Sequence, residues 1–224
     1  MNEVRYEIKL VLNESQLNDL LILIKQQRFK HPHPKRIVNS LYFDTYDFSS
    51  VKDNISGISD RKKIRLRWYD NNNNTPLLEI KKRYGRVGDK RKIKTTFKSG
   101  EEIESLAAKN IFDRLLRGNY DYDHFFFDPN FKPILWVRYQ REYFLSSEGL
   151  RLTIDKKIQF SQVSYFKPIS FQKKMNYNKN IIEIKFPIEM KELLNKILRR
   201  SGLIPVRHSK YLVGLSKLGL TSYI

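Results

Sequence analysis

Residues 181–186 read Ile-Ile-Glu-Ile-Lys-Phe, and the triplet Glu183-Ile184-Lys185 at their centre stands twice more, as Glu7-Ile8-Lys9 and Glu79-Ile80-Lys81. Each copy lies among β-branched and aliphatic residues, the composition of a strand. In a strand, residues i and i+2 share a face. Every copy therefore sets a carboxylate beside an ammonium and turns its isoleucine the other way. The habit extends beyond the triplet: Arg65 and Arg67 alternate with Ile64, Leu66 and Trp68, and Lys92 and Lys94 flank Ile93. One such strand would read as the solvated outer face of an antiparallel sheet. Six of them use both faces, one apolar and packed by helices, the other rich in cations. A closed sheet satisfies both rows. The expected class is α+β: an eight-stranded, mostly antiparallel β-barrel tunnel with flanking helices and a charged lumen.

Outward from these strands, local signals place the other elements. Residues 3–11 alternate as a strand, and Asn13 with Gln16 forms a capping-box pattern opening an amphipathic helix. The stretch His31-Pro32-His33-Pro34 breaks that helix, because proline cannot continue it. Its histidines lack a third metal ligand nearby and read as a connector. Residues 36–48 form a strand entering a turn, followed by a polar link through Gly57. Residues 60–70 form a strand, Asn71–Asn74 a loop, and 75–84 with 90–98 a hairpin around Gly85 to Gly88. Ser99 and Glu102 pattern as a second capping box for a helix over 100–117 that ends at Gly118. An aromatic and acidic loop follows. A hairpin over 133–145 and 150–160 comes next, then an irregular segment over 161–180. The strand 181–186 stops at Pro187, a helix over 188–201 ends at Gly202, and a basic turn enters a final short helix. No boundary interrupts this order, so 1–224 reads as a single domain.

Composition narrows the function classes. The chain of 224 residues carries a formal net charge of +19 and no cysteine. That charge predicts an anionic partner: nucleic acid, an acidic membrane surface or a polyphosphorylated small molecule. The absence of cysteine excludes a disulfide framework and thiolate metal sites. No apolar run reaches the roughly 18–20 residues of a membrane-spanning helix, and the N-terminus lacks a signal-peptide core. A soluble, cytoplasmic protein is the expectation. A nucleic-acid binder would show a recognised module or an exposed basic stripe with stacking aromatics. Neither is present, so nucleic acid is not an expected partner.

The same-face residues form a chemical inventory. Lys9, Arg65, Arg67, Lys81, Lys94, Arg138, Arg151, Lys185 and Lys210 are the cations, and Glu7, Glu79 and Glu183 the carboxylates. Arginine grips phosphate oxygens bidentately and lysine acts as a point charge. A few carboxylates among many cations suit a hard divalent ion held together with substrate phosphates. Positioning, charge neutralisation and such a metal are what phosphoryl transfer needs. Ser209 and Lys210 at the start of the final helix form a further candidate phosphate site, within reach of Arg207. The alternative reading of the carboxylates is as counter-charges for the lysines two residues on. Trp136 and Tyr139, flanking Arg138, suit base stacking or core packing.

In this order and spacing the motifs resemble the VTC family, the polyphosphate polymerase domain of the vacuolar transporter chaperone complex, within the triphosphate tunnel metalloenzymes. The likeness runs through SLYFDTYDF, RLRWY with Arg65 and Arg67, and LLEIKKRYGRVGDKRKIK with Lys81 and Lys94. In that last stretch Arg91 takes the place of a further basic residue. It continues through WVRYQREYF with Arg138, LRLTID with Arg151, IIEIKF with Glu183, and RHSKYLVG with Ser209 and Lys210. The resemblance implies a tunnel whose cations grip a triphosphate or a growing polyphosphate. It also implies Mn²⁺ or Mg²⁺ on Glu183, and Lys9 at one end of the phosphate path. Simpler members of the superfamily begin with E-x-E-x-K, whereas Arg5 stands at the first position here. That favours the VTC-like branch over hydrolytic triphosphatases and cyclases. The implied activity is transfer of the ATP γ-phosphate onto polyphosphate, with ATP, triphosphate or polyphosphate as ligands. Triphosphate hydrolysis and a non-catalytic polyphosphate-binding module are the alternatives. Any membrane partner would be a separate protein, placing the chain at the inner face of a membrane.

Overall fold

The alternating segments become the strands β1 (Arg5–Leu12), β2 (Arg36–Asp44), β3 (Arg61–Tyr69), β4 (Asn72–Tyr84), β5 (Val87–Lys94), β6 (Lys132–Leu145), β7 (Arg151–Gln162), β8 (Met175–Tyr177) and β9 (Asn180–Pro187). The helices are α1 (Glu14–Gln26), α2 (Ser49–Ile55), α3 (Ala108–Arg117), α4 (Lys191–Arg200) and α5 (Lys210–Lys217). This computed structural model describes residues 5–26, 28–70, 72–85, 87–97, 102–118 and 130–222. The class is α+β, as expected. Among the described residues no helix is long and apolar enough to cross a membrane.

The chain packs as two compact units. The first comprises residues 1–37, 139–158 and 176–209, and the second residues 38–138, 159–175 and 210–224. In the first unit β1 pairs with β9 and β9 with β7, all antiparallel. Ile8 lies opposite Ile184, and Ile184 opposite Leu152. This apolar face joins Leu17, Leu20 and Ile24 of α1 and Leu194 and Leu198 of α4 in one core. The Asn13 cap forms as read: Gln16 N–H donates to Asn13 Oδ1 at 2.9 Å, and Asn13 N–H to Gln16 Oε1 at 3.1 Å.

In the second unit β2, β3, β4 and β5 pair in succession, antiparallel throughout. Ile64, Leu66, Trp68, Leu78 and Ile80 form the buried face, covered by Ile111, Phe112 and Leu115 of α3. Elsewhere in this unit, Gly214 of α5 allows a close approach to Leu135 of β6 and Phe160 of β7. A Cβ at that position would stand 2.8 Å from Phe160 Cδ1 and 2.9 Å from Leu135 Cδ2. Gly214→Ala is therefore expected to destabilise the protein. Overpacking costs about 1–3 kcal/mol against about 1 kcal/mol regained from helix propensity. A lowered urea midpoint is the expected reading, and an unchanged or raised one would show that the packing relaxes freely.

Four expectations need correction. The strand order is β1-β9-β7-β6-β2-β3-β4-β5, with β8 beside β7, and no pairing joins β1 to β5 among the described residues. Among the described residues the sheet is thus not closed into an eight-stranded barrel. β5 has the exposed, cationic character of an edge strand, which resists further pairing. The loop at 71–74 shrinks, since β4 begins at Asn72. The polar link after β2 contains the helix α2. Buried Asp44 organises it: Oδ1 accepts from Thr45 N–H at 2.8 Å and Ser50 N–H at 3.0 Å, and Oδ2 accepts from the Tyr211 hydroxyl. The helix over 100–117 divides into a 3-10 turn at Ile103–Ser105 and α3. Ala107 between them bridges to Pro168, and Leu106 C=O accepts from Ile169 N–H at 3.2 Å. Those tertiary bonds take the backbone groups a continuous helix would use. The proposed cap at Ser99 and most of the acidic loop lie outside the described residues.

Candidate functional site

Strand register decides which charged side chains share a face. In the second unit Arg65 lies opposite Glu79 and Glu79 opposite Lys92, while Lys63 lies opposite Lys81 and Lys81 opposite Lys90. Arg67 and Lys94 both lie opposite Leu77. Arg61, Lys63, Arg65 and Arg67 of β3, Lys81 and Arg83 of β4, and Lys90, Lys92 and Lys94 of β5 therefore share one face. Glu79 is the one carboxylate that register puts among them on these strands. Ile80 turns the other way, into the core.

Glu79 is the hub. It is 4% exposed. Arg65 Nε donates to Glu79 Oε2 at 2.6 Å, Arg65 Nη2 stands 2.5 Å from the same oxygen, and Arg67 Nη1 3.6 Å from it. Lys90 Nζ approaches Oε1 at 2.9 Å. Burial opposes ionisation of this carboxyl, but Arg65, Arg67 and Lys90 together prevail and hold its pKa at about 2. Burial also pulls the Lys90 ammonium below its ordinary value, with Arg65 and Arg67 repelling it and Glu79 resisting. Tyr42 Oη accepts from Arg65 Nη1 at 3.1 Å, and Ser40 Oγ from Arg67 Nε at 3.3 Å. The Tyr42 phenol is raised by burial, yet Arg65, Arg67 and Lys210 bring it below its usual range. Lys210 thus acts on the same cluster. The next residue, Tyr211, stacks on Tyr42 with centroids 5.1 Å apart and binds Asp44. That contact anchors the start of α5.

The first unit carries its own charged face. Glu7 lies opposite Lys185, Lys9 opposite Glu183, Arg151 opposite Lys185 and Thr153 opposite Glu183. Lys185 Nζ stands 3.3 Å from Glu7 Oε2 and 3.2 Å from Glu183 Oε1. Burial disfavours the Lys185 ammonium, but Glu183 and Glu7 outweigh it and raise its pKa. Lys9 Nζ lies 3.3 Å from Glu7 Oε1 and donates to His208 C=O at 3.3 Å. The 206–208 segment also docks on β1, Val206 N–H donating to Lys9 C=O at 2.8 Å. Arg207 in that segment is exposed and Ser209 half-buried.

Arg141 was not singled out by the sequence reading. It clasps buried Asp155 with two bonds, at 2.5 and 2.7 Å. Burial works against the guanidinium, while Tyr139, Asp155 and Glu183 raise its pKa well above the ordinary value. The available signal is parity: Arg141 shares a face with Tyr139 and Tyr143, as Asp155 does with Thr153 and Arg151. Lys90 has the same kind of signal, sharing parity with Lys92 and Lys94.

Two expected site residues are placed elsewhere. Arg138 shares parity with Trp136, whose indole donates to Asn39 Oδ1 at 3.3 Å within the core face. Its own guanidinium pairs with Glu104, at 2.9 Å to both carboxylate oxygens. Arg91 lies opposite Ile80, on the reverse of the Lys90 row, and pairs with Asp89 at 3.5 Å. In both cases side-chain alternation sends the residue to the other face. Trp136 and Tyr139 are buried, which is packing rather than an open stacking surface.

The donors suit a hard divalent cation in one place. Among the described residues no three His, Cys, Asp or Glu side chains gather into a metal cluster. Glu7 and Glu183, however, both contact one Lys185 ammonium, so carboxylates from two strands converge on a single positive charge. Two carboxylates completed by phosphate oxygens and water match the way Mg²⁺ is usually bound.

A family model for the VTC domain matches residues 4–219. The chain belongs to the VTC domain family. No curated protein matches it significantly. Among solved structures, this VTC domain is similar to a Hippeastrum protein described as a candidate adenylyl cyclase with a dominant triphosphatase activity. The TM-score is 0.59 at 20% identity, covering 96% of both chains. It is also similar to a candidate adenylate cyclase from Vibrio parahaemolyticus, with a TM-score of 0.52 at 12% identity over 95% of this chain and 99% of that one. At such identities the likeness is one of fold.

Proposed function

We propose that this VTC domain is a metal-dependent phosphotransferase that moves the γ-phosphate of ATP onto a polyphosphate chain. The observation that carries this reading is the face of β3, β4 and β5, where nine cations share one face with a single carboxylate, held ionised at a pKa of about 2 by Arg65, Arg67 and Lys90. So many like charges call for a polyanion. Arginines braced by a buried carboxylate present their remaining N–H groups in a fixed geometry, which favours phosphate oxygens over mobile anions.

On the first unit, Lys9, Lys185 and Arg151 would bind phosphate oxygens. Arg141, locked by Asp155, would hold its charge beside them. Glu183 with Glu7 would hold Mn²⁺ or Mg²⁺, which would supply neutralisation of phosphate charge. In the transfer the bond from the γ-phosphorus to the β–γ bridging oxygen breaks, a terminal oxygen of the acceptor chain bonds to that phosphorus, and ADP leaves. The chain's own part is positioning and cationic stabilisation of the spreading negative charge. A separate membrane protein would complete the assembly if the product crosses a bilayer.

Hydrolysis is the second reading, supported by the fold shared with a Hippeastrum protein described with triphosphatase activity. Incubation with ATP and Mn²⁺, with products resolved by gel, separates the two. Polyphosphate is the expected product. Free phosphate alone would establish the hydrolase. Tight triphosphate binding with no product under any divalent metal would leave a binding module.

A further inference from the structure

A cleft of about 410 Å³ opens on the charged face of the first unit, and one of its walls is aromatic. Pro32, His33 and Tyr143 line one part of it, and Arg151, Lys185 and Glu183 another. The His33 ring meets Tyr143 edge-on with centroids 5.3 Å apart. Broken out of helix by its prolines, the connector His31–Pro34 is pinned against β6 through this contact and through His31 on Phe144 at 4.7 Å.

The order of these groups follows from register. Glu183 lies opposite Thr153. The hairpin from β6 to β7 closes where Ser146 N–H bonds Leu150 C=O, and Arg141 clasps Asp155 further along. The same spacing sets Tyr143 across from Thr153. Tyr143 is therefore two strands from Glu183, about 10 Å at ordinary strand spacing. Carboxylates and lysines stand at one end of this row and two rings at the other, with Arg151 alongside. A nucleoside triphosphate has the same polarity, with charge at its tail and a flat apolar base at its head.

We propose that this cleft takes the nucleoside end of a nucleoside triphosphate, with the base against His33 and Tyr143 and the sugar-proximal phosphate on Arg151. This rests on the phosphotransferase reading for the identity of the donor. It adds to that reading a reason for the protein to tell a nucleotide from bare polyphosphate. Stacking on rings tolerates any base but favours the larger faces of purines.

The test is calorimetry with ATP and with inorganic tripolyphosphate on wild type, His33→Ala and His33→Phe, with melting temperature as a folding control. His33 is exposed, so its loss leaves the core intact. His33→Ala should weaken ATP binding roughly five- to hundredfold, the usual range for one lost stacking partner. It should leave tripolyphosphate affinity unchanged, and His33→Phe should restore ATP binding. Equal losses for both ligands would overturn the proposal and make the cleft part of a phosphate path. An unchanged ATP affinity would overturn it too, placing the nucleoside elsewhere. Failure of wild type to bind tripolyphosphate is a different result, which removes the phosphotransferase reading and this one with it.

Discussion

Glu183→Gln is expected to lower metal-dependent turnover about a hundred- to a thousandfold, the effect of losing roughly 2.7–4 kcal/mol of transition-state charge stabilisation. Glutamine keeps the side-chain shape on β9 while removing the charge, and Lys185 retains Glu7 as a partner at 3.3 Å. The fold should therefore survive. Metal-free triphosphate binding should persist or tighten, because a carboxylate that repels phosphate is gone. Product formation and triphosphate calorimetry on both proteins supply the measurement. Unchanged turnover would make Glu183 a counter-charge for Lys9 and Lys185, and the metal would have to be held elsewhere. A parallel collapse of turnover and metal-free binding would instead show a general disruption of the face.

The second large effect concerns stability. Glu79→Ala should destabilise the second unit by about 3 kcal/mol, near the low end for leaving buried charge uncompensated. The lower end applies because the Arg65 and Lys90 side chains are 26% and 42% exposed and regain some hydration. Acidity gives an independent check. The carboxyl is depressed from 4.5 to about 2 on folding. Its contribution is therefore fully present above about pH 4.5 and is lost as pH falls toward 2. The difference between wild type and Glu79→Ala in urea midpoint should shrink over that window and be mostly gone as pH falls through about 2. Tripolyphosphate should raise the variant's midpoint more than the wild type's, since the added anion takes over the missing neutralisation. Equal midpoints at pH 7 would show that the cluster is solvated well enough to dispense with Glu79.

Much of this was legible in the residues because a strand repeats every two positions. The three Glu-Ile-Lys triplets specify which side chains share a face, and the structure keeps Ile80 and Ile184 buried in the cores. The Asn13–Gln16 cap was legible for a similar reason, since both partners lie within one turn. Parity also explains why Arg138 and Arg91 lie on the other face from the cations they were grouped with. A basic residue in the right strand is not enough when its neighbour, Arg141 or Lys90, holds the alternate position.

What only tertiary structure decided involves partners far apart in the chain. Asp44 reaches Tyr211 across 167 positions, and it caps α2, a helix with no strong local signal. The split of the 100–117 helix depends on the bridge from Ala107 to Pro168. Closure of the sheet was the largest such question, and alternation is silent on it: an open sheet and a barrel demand the same two faces from every strand. Local sequence sets the direction of each side chain through backbone sterics. Which strand ends as an edge, and which distant carboxylate meets which cation, depends on packing summed over the whole chain.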